Sequence, residues 1–169
     1  MKKKKIMMNI IAFAAIISFF WDLIVPVRSH GRAANLVEDY WGYYLTASWQ
    51  QGWFNFGLGN SWSRNMRFLP GQKPLMINKM KKDIVNELET LVEENGDVCY
   101  KYEISDDFIG VRIYIASGDV DLDKLYDIRR EMREELGALI ELYHTVKAGH
   151  PGSQSDVKGY GIFFVEPDG

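Results

Sequence analysis

Four lysines, Lys2 to Lys5, are followed at once by an apolar stretch from Ile6 to Val27 that only Asn9, Ser18 and Asp22 break strongly. No other feature constrains the chain as much, because water rejects an apolar run of this length. As a helix the stretch reaches roughly 33 Å, about one hydrocarbon core. The lysines stand at its N-terminal end, so the positive-inside rule predicts that end in the cytoplasm and the remainder outside a cell membrane. Residues 1–29 are therefore expected to form a signal-anchor, a single-pass transmembrane helix in contact with the lipid bilayer. Trp21 would lie near the outer interface. Asp22 would reach water there, since a carboxylate at depth costs about 3 kcal/mol. Two alternatives use the same residues. A signal peptide with the core Ile10 to Phe20 would be cut near Ser29, at Val27-Arg28-Ser29, and release a secreted domain. An ordinary core helix would keep the stretch folded against a cytosolic body.

The chain has 169 residues, 47% of them hydrophobic, which suits one domain behind a targeting segment and excludes a disordered chain. Its formal net charge is −3. Nucleic acid is thereby excluded as the main partner, because displacing counterions from phosphates needs a positive face. The lone cysteine, Cys99, can form no intramolecular disulfide and no metal site of the CxxC type. It is expected to be an inert thiol buried in a strand.

Residues 30–70 are expected to be an aromatic-rich connector and residues 71–169 an extracytoplasmic α+β domain. In the connector, Val37 to Trp49 suits one helix, and the glycines from Gly52 onward suit an extended, turn-rich segment from Trp53 to Trp62. Beyond Pro70 and Gly71, with Pro74 suited to a first helical turn, Met76, Met80, Ile84, Leu88 and Leu91 recur at helical spacing as far as Asn95-Gly96. Two alternating runs follow. Val98, Tyr100, Tyr102 and Ile104 are matched by Ile109, Val111, Ile113 and Ile115 across the turn Ser105-Asp106-Asp107, which predicts a β-hairpin with one buried face. Asp121 suits the cap of a second helix with a stripe from Leu122 and Leu125 through Ile128, Met132, Leu136, Leu139 and Tyr143 to Val146. A last strand alternates from Tyr160 to Val165 and stops at Pro167. The order helix, strand, strand, helix, strand predicts two helices packed on one face of a small antiparallel sheet.

No catalytic residue, metal or cofactor is expected. His30, His144 and His150 do not form a metal-binding pair at helical spacing. Arg129, Arg130 and Arg133 share a helix with Glu131, Glu134 and Glu135 in a mixed solvent face. The aspartates of the two short loops, Asp106 and Asp107, then Asp119, Asp121 and Asp123, suit turns and caps. They lack the glycine and the terminal glutamate of a calcium loop. The serines form no nucleophile elbow, and the glycines of 149–161 form no phosphate loop. What exceeds the needs of a core is the aromatic stretch from Tyr40 to Phe68. It suits a second packing layer, a contact with a membrane interface or membrane-embedded partner, or a platform for sugars.

Within that stretch, Gln51-Gly52-Trp53-Phe54-Asn55-Phe56-Gly57 resembles the Gln-x-Trp-x-x-Phe element of some small single-span bacterial membrane proteins. These are the SdpA-like proteins of sporulation-delaying toxin systems and the small proteins that accompany HTTM membrane proteins. Where those proteins carry prolines after the Phe, Leu58-Gly59-Asn60-Ser61 stand here. The resemblance implies an accessory protein that works with an integral-membrane partner, in maturing or exporting a peptide or toxin. Gln51, Trp53, Phe54, Phe56 and Trp62 are then the expected partner-facing residues. Two other functions are compatible with the residues: a toxin-binding immunity protein that uses a charged helix or sheet face, and a small exported hydrolase.

Overall fold

The computed structural model describes residues 2–23, 27–51, 62–148 and 161–167. Its elements are α1 (Lys2–Leu23), β1 (Val27–His30), α2 (Arg32–Asn35), a 3-10 turn (Leu36–Tyr40), β2 (Thr46–Gln51), β3 (Trp62–Arg67), α3 (Gln72–Glu94), β4 (Cys99–Ile104), β5 (Gly110–Ile115), α4 (Leu122–Ala148) and β6 (Gly161–Val165). The class is α+β, with two three-stranded sheets in the orders β1-β3-β2 and β4-β5-β6.

The expected anchor is corrected. Among the described residues, no helix is long and apolar enough to cross a membrane. The apolar run read from the sequence is not one helix. α1 begins in the lysines and stops at Leu23, while Val27 already belongs to a strand. β1 pairs antiparallel with β3, Val27 against Met66, and both residues lie in the core. The signal-anchor and the single-pass placement built on the run fall with it. The proposed cleavage near Ser29 falls too, because Val27 and Ser29 are buried parts of the folded body. The third alternative also differs from the structure, since α1 is not packed as a core helix. Ile6, Met8, Ile11 and Ile16, at 53 to 69% exposed, lie on different sides of it.

The two long helices form where hydrophobic period demands them. On α3, Met76, Met80, Ile84, Leu88 and Leu91 are all buried, and the Asn95 N–H donates to Leu91 O to close the last turn. On α4 the Asp121 carboxylate accepts the Asp123 and Lys124 N–H groups at 3.0 and 3.2 Å, so the expected cap is present. The buried stripe starts only at Leu125, because Leu122 lies in the first turn, outside the packing, at 74% exposed.

Both sheets meet these helices in one core. It joins Val27 and Met66 of the first sheet, Met80 and Ile84 of α3, Val111 and Ile113 of the second sheet, and Leu136 and Ile140 of α4. The first sheet stands where the sequence suggests a connector. The segment expected to be a helix over 37–49 is instead the 3-10 turn, a bend and β2. Gly42 at φ +98° breaks the chain direction, and a strand-to-strand ladder with β3 takes up the backbone of residues 46–51. The second sheet is not purely antiparallel. β4 and β5 make the expected hairpin, but β6 runs parallel to β5, because α4 carries the chain back to the start of β5 before β6 begins. A bulge between Cys99 and Lys101 also turns Tyr100 outward, at 54% exposed, and leaves Cys99 buried as expected. Burial holds the Cys99 thiol above its ordinary range.

The turn of the hairpin is held from α4. Phe108 adopts φ +60°, a conformation that non-glycine residues rarely adopt. His144 Nε2–H donates to Phe108 O at 3.0 Å, and the Phe108 ring lies 5.4 Å from that of Tyr143. Burial, and then Lys147, pushes His144 below its ordinary value, against the pull of its backbone acceptor and Asp107. Burial and Arg28 push His30 the same way. A histidine depressed in the fold contributes stability that is complete above its unfolded value. That stability is lost as the pH falls through the folded one. Stability is therefore expected to decline as the pH falls below about 6.5, and His144→Gln is expected to make the decline shallower. Asp97, Glu103 and Asp107, held below the carboxylate range chiefly by hydrogen bonds from Lys124, Lys101 and Ser105 respectively, add their loss only at lower pH. Urea midpoints across pH 5 to 8 for the two chains measure this, and equal slopes refute it.

Candidate functional site

A cleft of about 630 Å³ lies where the 3-10 turn, α3 and α4 meet. Its floor is apolar, from Leu36 of the 3-10 turn and from Leu136 and Leu139, one helical turn apart on α4. Its walls are acidic. Asp39 comes from the 3-10 turn, Asp83 and Glu87 stand one turn apart on α3, and Glu134 and Glu135 are neighbours on α4. Arg32 is the only cation among the described residues lining it.

Hydrogen bonds fix part of this wall. Tyr40 is buried and donates its hydroxyl to Asp83 Oδ2 at 2.9 Å, while Lys79 pairs with the other oxygen of Asp83. Burial, then the contact with Asp83, keeps the Tyr40 phenol protonated far above its ordinary value. Arg32 donates to the carbonyl oxygen of Arg133 on α4, and its guanidinium lies over Gly137, about 3.6 Å from where a Cβ would stand.

Glu87 is opposed by other carboxylates. Glu87 is raised above its ordinary value, first by burial and then by Glu135, Glu131 and Glu94. Such repulsion is a cost the free chain carries and a cation would relieve. Among the described residues, no group of three or more His, Cys, Asp or Glu is placed to hold a metal ion. The charges line a trough rather than converging on a point. What this arrangement can do chemically is bind an elongated cation that also has apolar parts.

The residues singled out in the sequence lie elsewhere. Gln51 and Trp62 are cross-strand partners at the end of the β2–β3 ladder, and Trp62 is 47% exposed. Trp53, Phe54 and Phe56 lie outside the described residues, as do His150 and Tyr160. The mixed charges of α4 divide. Arg130 pairs with Asp127 on its own helix, and Arg129 lies 5.3 Å from the Phe164 ring and 3.6 Å from Glu166. Glu134 and Glu135 face the cleft instead. In sequence they look like any solvated helix face. Only their meeting with Asp83, Glu87 and Asp39 makes a site, and no local pattern records that meeting.

No protein-family model, curated protein or solved structure matches this chain.

Proposed function

We propose that this chain is a non-enzymatic accessory protein that binds a partner polypeptide, holding a cationic, partly apolar segment of it in the acidic cleft. The observation that supports this most is the composition of the cleft. Carboxylates from three separate elements stand above a leucine floor, and Glu87 is repelled by its neighbours. Lysine or arginine side chains would gain charge-assisted hydrogen bonds along the walls, while the apolar residues between them displace water from the floor. Relief of the mutual repulsion adds to binding, since it becomes available only when the cation arrives. The resemblance to SdpA-like and HTTM-associated proteins supplies the finer part of the proposal. It makes the partner an integral-membrane protein and the work the maturation or export of a peptide. As a toxin-binding immunity protein, the chain would use the same cleft to hold the toxin itself.

Calorimetric titration with a synthetic peptide of alternating lysine and leucine tests this. Binding is expected, and it is expected to weaken as salt rises. The double change Glu87→Gln with Glu135→Gln should weaken it about tenfold or more. A matched glutamate–leucine peptide should not bind. Lysine–leucine binding that the double change leaves intact would place the contact elsewhere and defeat the proposal.

A further inference from the structure

The two edges of the second sheet, neither with a further strand among the described residues, are built differently. β4 carries Lys101 and Glu103 and is bent by the bulge at Tyr100, devices that discourage another strand from adding. β6 has none of them. It reads Gly-Ile-Phe-Phe-Val, with no charge and no proline, and stands at the end of the order β4-β5-β6. Its register shows which groups are open. Gly161 N–H donates to Ile109 O at 3.0 Å, and Gly161 is aligned with Gly110. In a parallel ladder alternate residues bond to the same neighbour, so Gly161, Phe163 and Val165 turn their N–H and C=O groups to β5. Ile162 and Phe164 turn theirs outward, and no backbone group among the described residues pairs with them.

We infer that β6 pairs antiparallel with β6 of a second copy of this chain, about a two-fold axis through Phe163. The strand is self-complementary in that register. Ile162 faces Phe164 of the second copy, and each of the two such pairs exchanges both backbone hydrogen bonds. Phe163 then faces Phe163 in a non-hydrogen-bonded position, where side chains approach most closely. Phe163 is suited to this. It lies on the outer face of the sheet, is 58% exposed, and its ring folds back over Gly161, where an added Cβ would stand only 2.7 Å from it. The axis stands perpendicular to the sheet, so the helices of both copies stay on the same side of one continuous six-stranded sheet. Arg129, above the inner Phe164 ring, is undisturbed.

Light scattering and sedimentation of the full chain across a concentration series test the inference. A concentration-dependent dimer is expected. Phe163→Glu should raise its dissociation constant at least about tenfold, because like charges then face each other across the axis. The monomer tolerates that change, since Arg112 is the aligned neighbour of residue 163 on β5. Ile162→Pro removes an outward N–H, along with a half-buried side chain at the margin of the core, and should act alike. Phe163→Cys should cross-link under a mild oxidant, and Tyr114→Cys on the next strand should not, with circular dichroism confirming the fold of each variant. A chain that stays monomeric throughout overturns the inference. So does a dimer that neither Phe163→Glu nor Ile162→Pro weakens, which would place the association elsewhere, as on the apolar sides of α1.

Discussion

A Val27→Asp chain is expected to lose most or all of its cooperative fold. Val27 is 1% exposed, stands opposite Met66 across the β1–β3 ladder, and belongs to the core shared by both sheets. A carboxylate there leaves water for apolar surroundings, and the buried cation of the same sheet, Arg64, is already paired with Glu38. The expected cost is on the order of 3–5 kcal/mol, set against a typical domain stability of about 5–15 kcal/mol. The group escapes part of this by taking up a proton, so the loss should deepen as the pH rises. Val27→Ala, which only deletes two methyl groups, should cost about 1–3 kcal/mol. Urea denaturation of the three chains gives both numbers. If Val27→Asp unfolds at the same midpoint as the parent, β1 is not part of the core, and the leading apolar run is not divided between α1 and a core strand.

Ile113→Ala is the second large effect. Ile113 is fully buried at the middle of β5, the central strand of its sheet, with Tyr102 aligned on β4 and Phe164 on β6. Shortening it removes apolar contact on both sides and leaves a cavity that paired strands cannot close. A loss of about 2–5 kcal/mol is expected. Arg112, the adjacent residue, points to the opposite face, and its nearest acidic partner, Glu103, is 4.0 Å away in solvent. Arg112→Ala should therefore stay within about 0.5 kcal/mol of the parent. The contrast between neighbours is the measurement that matters. Comparable losses at both positions would mean that the strand does not alternate between core and solvent as described.

The parts of the fold legible in the sequence share one property: their cause is local. The α3 stripe repeats within a single helix, and all five of its residues proved buried. The cap at Asp121 involves side chain and backbone within three residues. The hairpin was readable because its two strands alternate around a short turn. Even there, the bulge that turned Tyr100 outward left no mark in the alternation, because one extra residue looks like continued strand. The candidate site was not legible. The aromatic stretch from Tyr40 to Phe68 stands out because its density is visible in one dimension, whereas the cleft is assembled from glutamates and aspartates that are unremarkable on each helix taken alone.

By itself, then, the sequence determined where the long helices and the hairpin lie, which of their faces are apolar, and that Cys99 would be buried. These follow from backbone period and side-chain polarity over a few residues. Tertiary structure decided the first sheet, the parallel direction of β6, the meeting of carboxylates around the cleft, and the division of the leading apolar run between α1 and a core strand. Each of those depends on contacts between residues far apart in the chain. Hydrophobicity says that a residue must leave water, but only packing says against what.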